Sequence, residues 1–308
     1  MGGSLRPAAV PVGWFALTTG DDLRAPVPAS LAGRELVVWR DSRGIAHAHD
    51  AYCPHLGAHI GHGGSVDGDH LVCPFHGFRF GADGGCVGSG YGTAGPPGAA
   101  LGSVPVCEVG GIVFGWHGGE PTFALPALDA TGWTSFGVHA WELPGHPQEV
   151  TENSVDVGHF AWVHGYRDLA VEAAWAADGA TVRLGYGFTR PWVAGWGSRQ
   201  HIAITVVGLG YSQVDVTIDH LPLRLRLLVL PTPLSDDRLL LRVALAVRGV
   251  GPVDALLKPL LLRIYAREVE DDFAIWKHKR YVERPMLAKG DGAIGPYRRW
   301  VRQFYPAE

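Results

Sequence analysis

Short bursts of apolar residues, cut by glycine and proline, fill the chain from Pro11 to about Glu120. Glu35–Arg40, Ile45–His49, Leu71–Val72 and Ile112–Phe114 read as strands, with turns at Asp41–Gly44, Asp67–Asp69 and Asp83–Gly85 between them. Gly88–Gly102, rich in glycine and proline, reads as a surface loop. The pattern fades over Pro121–Trp141, taken as an interdomain connection, and Gln148–Gly165 then has a helical middle. Five strand-like runs follow: Thr181–Phe188, His201–Val207, Val214–His220, Leu223–Leu230 and Leu239–Val247. They predict an antiparallel sheet whose concave face could hold a ligand. Val253–Lys279 reads as a long helix, kinked or started late by Pro259, and Pro296–Phe304 as a helical tail.

The fold class expected is α+β in two domains. Residues 9–120 form an all-β unit, and residues 121–308 form an antiparallel sheet flanked by helices.

Composition narrows the function. With 47% hydrophobic residues in 308, the chain can build a sizeable core. A net charge of -4 argues against a nucleic-acid binder, which needs a basic face. No apolar run is long enough to span a membrane, and Met1–Val10 lacks the pattern of a signal peptide, so a cytoplasmic protein is expected. Four cysteines are too few for a disulfide framework and suit a reducing compartment with a metal site. Cys86 and Cys107 are expected to be small buried residues.

The other two cysteines stand in a pattern. Cys53-Pro54-His55 is followed, after 17 residues, by Cys73-Pro74-Phe75-His76. Two thiolates and two imidazoles can hold one zinc ion tetrahedrally, or divide a two-iron, two-sulfide cluster between them. The second arrangement needs one cysteine and one histidine from each of two facing loops, and each motif supplies that pair. Gly57 and Gly77 allow the loops to turn tightly after the ligands.

A second constellation lies at mid-chain. Asp156 and His159 are three residues apart and share a helix face, so the carboxylate can orient the imidazole. His159 and His164 would point about 140° apart on a straight helix, and reach one metal only if the helix bulges or ends between them; Gly165 is a plausible end. Two histidines and one carboxylate make an open ferrous site. Asp271 and Asp272 are the candidate carboxylates, and Asp272 falls on the apolar stripe with Leu261, Tyr265, Ile275 and Trp276.

The flanks of the first motif, Asp50–Ala58 and Cys73–Phe80, resemble the cluster-binding loops of Rieske domains. The spacing Asp156-x-x-His159-x4-His164 with a late aspartate resembles the catalytic domain of Rieske non-haem iron oxygenases, from about Pro11 to Tyr305. Asp50–Ala58 and the stretches Ile275–Lys277 and Arg298–Tyr305 are similar to 3-ketosteroid 9α-hydroxylase oxygenases and the cholesterol 7-desaturase group, which act on steroid nuclei. Respiratory Rieske proteins carry a disulfide at the positions of Ala58 and Phe75, so the oxygenase or ferredoxin type is implied here.

The resemblance implies a [2Fe–2S] cluster on Cys53, His55, Cys73 and His76, and mononuclear Fe(II) on His159, His164 and Asp272. O2 is the implied cosubstrate. Asp156 would carry electrons from a neighbouring subunit's cluster, because cluster and iron lie too far apart within one chain; a homotrimer and a helix-grip catalytic domain follow. Asn153 matches a position near the iron in some members. No G-x-G-x-x-G fingerprint is visible, so a ferredoxin or an NAD(P)H-dependent flavin reductase would supply electrons. The implied reaction is hydroxylation, desaturation or oxidative cyclisation of an apolar small molecule. A ring-hydroxylating dioxygenase and an electron carrier with an inactive second domain are the alternatives.

Overall fold

The computed structural model describes residues 9–191 and 197–305. Two compact units emerge, Trp14–Ala127 and a second built mainly from Leu128–Glu308. The backbone N–H of Val12 donates to the Phe304 carbonyl at 2.7 Å, which ties the segment ahead of Trp14 to the second unit.

The first unit contains β1 (Gly13–Thr19), β2 (Val27–Leu31), β3 (Arg34–Arg40), β4 (Ala46–Asp50), β5 (Ser65–Asp67), β6 (His70–Val72), β7 (Arg79–Phe80), β8 (Cys86–Gly88), β9 (Ser103–Val104), β10 (Val106–Val109) and β11 (Ile112–His117). They form three small sheets, ordered β1-β11-β10, β2-β3-β4-β9 and β5-β6-β7-β8. Strand β3 explains why its sequence is continuously apolar rather than alternating. Leu36 and Val38 enter one core with Phe15, Leu17 and Val113, while Val37 and Trp39 enter another with Cys53, Cys73, Phe78 and Phe80. A strand buried on both faces carries no polar side. Its second core is the floor beneath the two Cys-His loops.

The second unit holds β12 (Gly137–Pro144), α1 (Pro147–Glu152), α2 (Val157–Trp162), β13 (Arg167–Asp178), β14 (Thr181–Pro191), β15 (Gly197–Val207), β16 (Tyr211–Ile218), β17 (Arg224–Pro233), β18 (Arg238–Arg248), α3 (Val253–Trp276) and α4 (Ile294–Trp300). Its sheet is antiparallel with seven strands, ordered β12-β18-β17-β16-β15-β14-β13. The five strands expected from sequence are its centre, and the two edges were not foreseen. β12 begins inside Pro121–Trp141, so that stretch is more than a connection. β13 is mostly exposed, alanine-rich and broken by three register irregularities. An edge strand is paired on one side only and needs little apolar patterning. Helix α3 packs on β18 and β12, with Phe273 and Trp276 against Leu143, Leu239 and Leu241. No helix among the described residues is long and apolar enough to cross a membrane.

Candidate functional site: two loops and a buried triad

Each Cys-His loop follows a strand, β4 or β6, and closes in the same way. The N–H groups of Gly57 and Gly77 donate to the carbonyls of Cys53 and Cys73 at 2.9 and 3.1 Å. The cysteine N–H groups in turn donate to Ala58 and Phe78 at 2.9 and 2.8 Å. Gly77 sits at φ +64°, and a Cβ there would come within 2.9 Å of Gly90 Cα, so glycine is required.

The closures bring the imidazoles of His55 and His76 edge to face at 4.7 Å, with His55 stacked on Phe78 at 4.5 Å. Cys53 and Cys73 are 2% exposed, and burial pushes the Cys53 thiol up to about 11. The Nδ1 atoms of His55 and His76 are buried without a hydrogen-bond partner. Such orphaned donors and acceptors call for an occupant. Among the described residues, the group of three or more whose ligating atoms all lie within 4.8 Å of one another is found elsewhere. Two soft thiols and two imidazoles, one of each from either loop, fit a two-iron cluster.

The compact group is His159, His164 and Asp272. Helix α2 ends at Trp162 and Gly165 turns the chain at φ +68°, so His164 is off the helix and free to swing toward His159. Their rings are 5.2 Å apart. Asp272 comes from α3, on a buried stripe with Tyr265, Phe273 and Trp276. Ile275, assigned to that stripe from sequence, is 47% exposed, and Asp271 is exposed as well.

Burial sets the protonation of the trio. It depresses His159, and with the neighbouring His159 and Arg190 it brings His164 down to about 4. Both rings are therefore neutral near pH 7, with lone pairs available for a metal. Burial raises Asp272 to about 7, against the lowering effect of a hydrogen bond from the Asn153 side chain. Three groups held in their uncharged or half-charged forms fit a cation that would restore the missing charge. The His159 Nδ1–H donates to the Asp156 carbonyl at 2.5 Å, leaving Nε2 as the ring nitrogen that could accept a metal. The Asp156 carboxylate instead caps α2, accepting from the His159 N–H at 3.3 Å. A carboxylate three residues before an amide is in N-cap geometry, so the carbonyl, rather than the carboxylate, meets the ring.

The triad opens on a cavity of about 160 Å³ between the sheet face and the helices. Phe160, Phe188, Ile202, Leu227 and Val229 make it mostly apolar. The sequence had not marked Tyr166, Gln200 or Ser212, which also line it, as does Glu268 from the acidic stretch that supplies Asp272. The signal of Gln200 and Ser212 was faint, because single polar residues on strands look like solvent-facing positions until the sheet is assembled. Cys86 and Cys107 are partly buried.

Comparison with known proteins agrees with this geometry. Residues 13–94 match the Rieske [2Fe-2S] domain, and residues 113–305 match the 3-ketosteroid 9alpha-hydroxylase C-terminal domain. The chain is 33% identical to cholesterol 7-desaturase nvd of Bombyx mori, over 98% of this chain and 71% of that protein. It is 27% identical to the oxygenase component of a 3-ketosteroid-9-alpha-monooxygenase from Rhodococcus rhodochrous, over 97% and 81%. Dicamba monooxygenase bound to dicamba shares the fold at 20% identity, with a TM-score of 0.75 and 98% of each chain covered.

Proposed function

Because the chain belongs to the Rieske oxygenases whose catalytic domain is of the 3-ketosteroid 9α-hydroxylase type, we propose that it oxidises an apolar, steroid-like substrate at Fe(II) held by His159, His164 and Asp272. Cys53, His55, Cys73 and His76 would hold the cluster in this reading. The observation that carries it is the convergence of the three ligand types on the wall of an apolar cavity. An electron carrier has no use for that cavity.

When bound, the cluster supplies electrons singly and the ferrous ion supplies open positions for activating dioxygen. The chain's own contribution is placement. The Asp156 carbonyl fixes the ring of His159, and Asn153 holds the carboxylate of Asp272. Phe160, Val269 and Trp276 line the space beside the triad and make it apolar. Hydroxylation and desaturation both fit this arrangement, and the relatives' names carry both reactions.

As an oxygenase of this family the chain draws electrons from a separate protein, and we assign that role to a ferredoxin or an NAD(P)H-dependent flavin reductase in a reducing, cytoplasmic setting. A homotrimer, in which Asp156 receives electrons from the neighbouring subunit's cluster, completes the proposal. The test is turnover of a steroid panel with O2 and a surrogate ferredoxin–reductase pair. An oxidised steroid product supports the assignment, and oxygen uptake that stays independent of every steroid overturns the substrate class.

A further inference from the structure

Strand β16 presents Ser212, Val214, Val216 and Ile218 in alternation on one face, and the first three line the cavity. Three of these four positions carry β-branched apolar side chains, the type that suits a half-buried pleated surface. Ser212 breaks the row. It is 3% exposed, and its Oγ is buried with no hydrogen-bond partner. Its cross-strand partners are Val206 and Val229. A buried hydroxyl left unmade costs stability that an alanine or valine would not.

Three other polar side chains of the cavity are already committed. Glu268 is ion-paired with Arg190 at 2.7 Å. Gln200 donates to the Ser198 Oγ at 3.0 Å and accepts from the Tyr265 hydroxyl at 3.4 Å. Asn153 is bonded to Asp272.

From this we propose that Ser212 is a specificity residue, whose hydroxyl hydrogen-bonds an oxygen, hydroxyl or carbonyl, carried by the substrate's otherwise apolar skeleton. Each group removes the other's deficit. A substrate oxygen buried in this cavity needs a partner, and the Oγ can donate to a carbonyl or accept from a hydroxyl. Ser212 stands on the sheet wall, while the three proposed iron ligands come from the helices and the turn after α2. It would therefore fix which part of the skeleton faces the iron. The inference rests on the proposed steroid-like substrate and adds how that substrate is oriented.

The experiment measures binding to the iron-loaded protein by equilibrium dialysis with 5α-androstane and its 3-hydroxy, 3-keto and 17-keto derivatives. The wild type should bind at least one oxygenated member about tenfold or more tightly than the hydrocarbon. Ser212→Ala should lose that preference and keep its affinity for 5α-androstane, and Ser212→Thr, which retains the hydroxyl, should restore it. Without ligand, Ser212→Ala should melt at or above the wild-type temperature. An undiminished preference in Ser212→Ala overturns the proposal, as does a lower melting temperature, which would mean that the hydroxyl has a structural partner. If no steroid binds the wild type, the substrate class itself falls, and this assignment with it.

Discussion

The Nε2 of His164 and the Oδ2 of Asp272 face each other across 3.8 Å. That separation is too long for a hydrogen bond and short enough for one cation to be shared. His164→Ala and His159→Ala should therefore each lose the mononuclear iron and keep the red-brown cluster. Turnover should fall by more than about 100-fold, beyond the loss that follows from disturbing supporting groups alone. Visible absorbance and steady-state oxygen uptake check both halves.

Asn153 holds the Asp272 carboxylate without belonging to the triad. Asn153→Ala should weaken ferrous-iron affinity by about 10–100-fold while leaving the ligands in place. Titration of iron-depleted protein with Fe(II) measures this, and excess Fe(II) should restore most of the activity. Activity that stays low at saturating iron would assign Asn153 another role.

His49 makes the first unit acid-sensitive. It is 1% exposed, accepts from the Trp39 indole N–H at 3.1 Å, and is brought down to about 4 by burial. Its folded value lies below the ordinary 6.5, so the unfolded chain binds the proton first. The stability contributed by neutral His49 is complete above pH 6.5 and is lost as pH falls towards 4. His49→Gln keeps an acceptor for Trp39 and removes the titration. Its urea midpoint should fall less steeply over that window than the wild type's.

Arg298 of α4 is locked to Glu152 at the end of α1, with Nη2 to Oε1 at 2.8 Å, and it stacks over the Tyr281 ring at 4.4 Å. Both charged side chains are largely buried, at 15% and 11% exposure. Arg298→Met strands the Glu152 carboxylate and should cost roughly 3–5 kcal/mol. Adding Glu152→Leu should recover part of the loss, because no unpaired charge then remains. Thermal denaturation of the single and double variants checks the coupling.

The two Cys-His pairs and the trio His159, His164 and Asp272 were legible in the sequence because chemistry fixes the residue types such sites need and local geometry fixes their spacing. A cysteine and a histidine must come from each loop, and His159 and His164 need a helix that stops between them, as α2 does at Trp162. The central strands were legible for a similar reason, since their burial imposes a pattern. What stayed hidden depends on assembly. β12 and β13 are edges with little to bury, and β13 even carries the alanines of a helix. Ser212 and Glu268 acquire meaning only when β16 and α3 close on one cavity. The Asp156 carboxylate was read as the group orienting His159, but the choice between carboxylate and carbonyl turns on one backbone rotation that spacing does not encode.

The most direct test counts iron and sulfide in protein purified anaerobically, alongside the electron paramagnetic spectrum of the reduced sample. The wild type should carry the cluster's two irons and one more for every two sulfides, with the low-average-g signal of a histidine-ligated cluster. Asp272→Ala should lose only the additional iron and keep that signal unchanged. A variant that retains the additional iron, or a wild type without the cluster signal, would contradict the account.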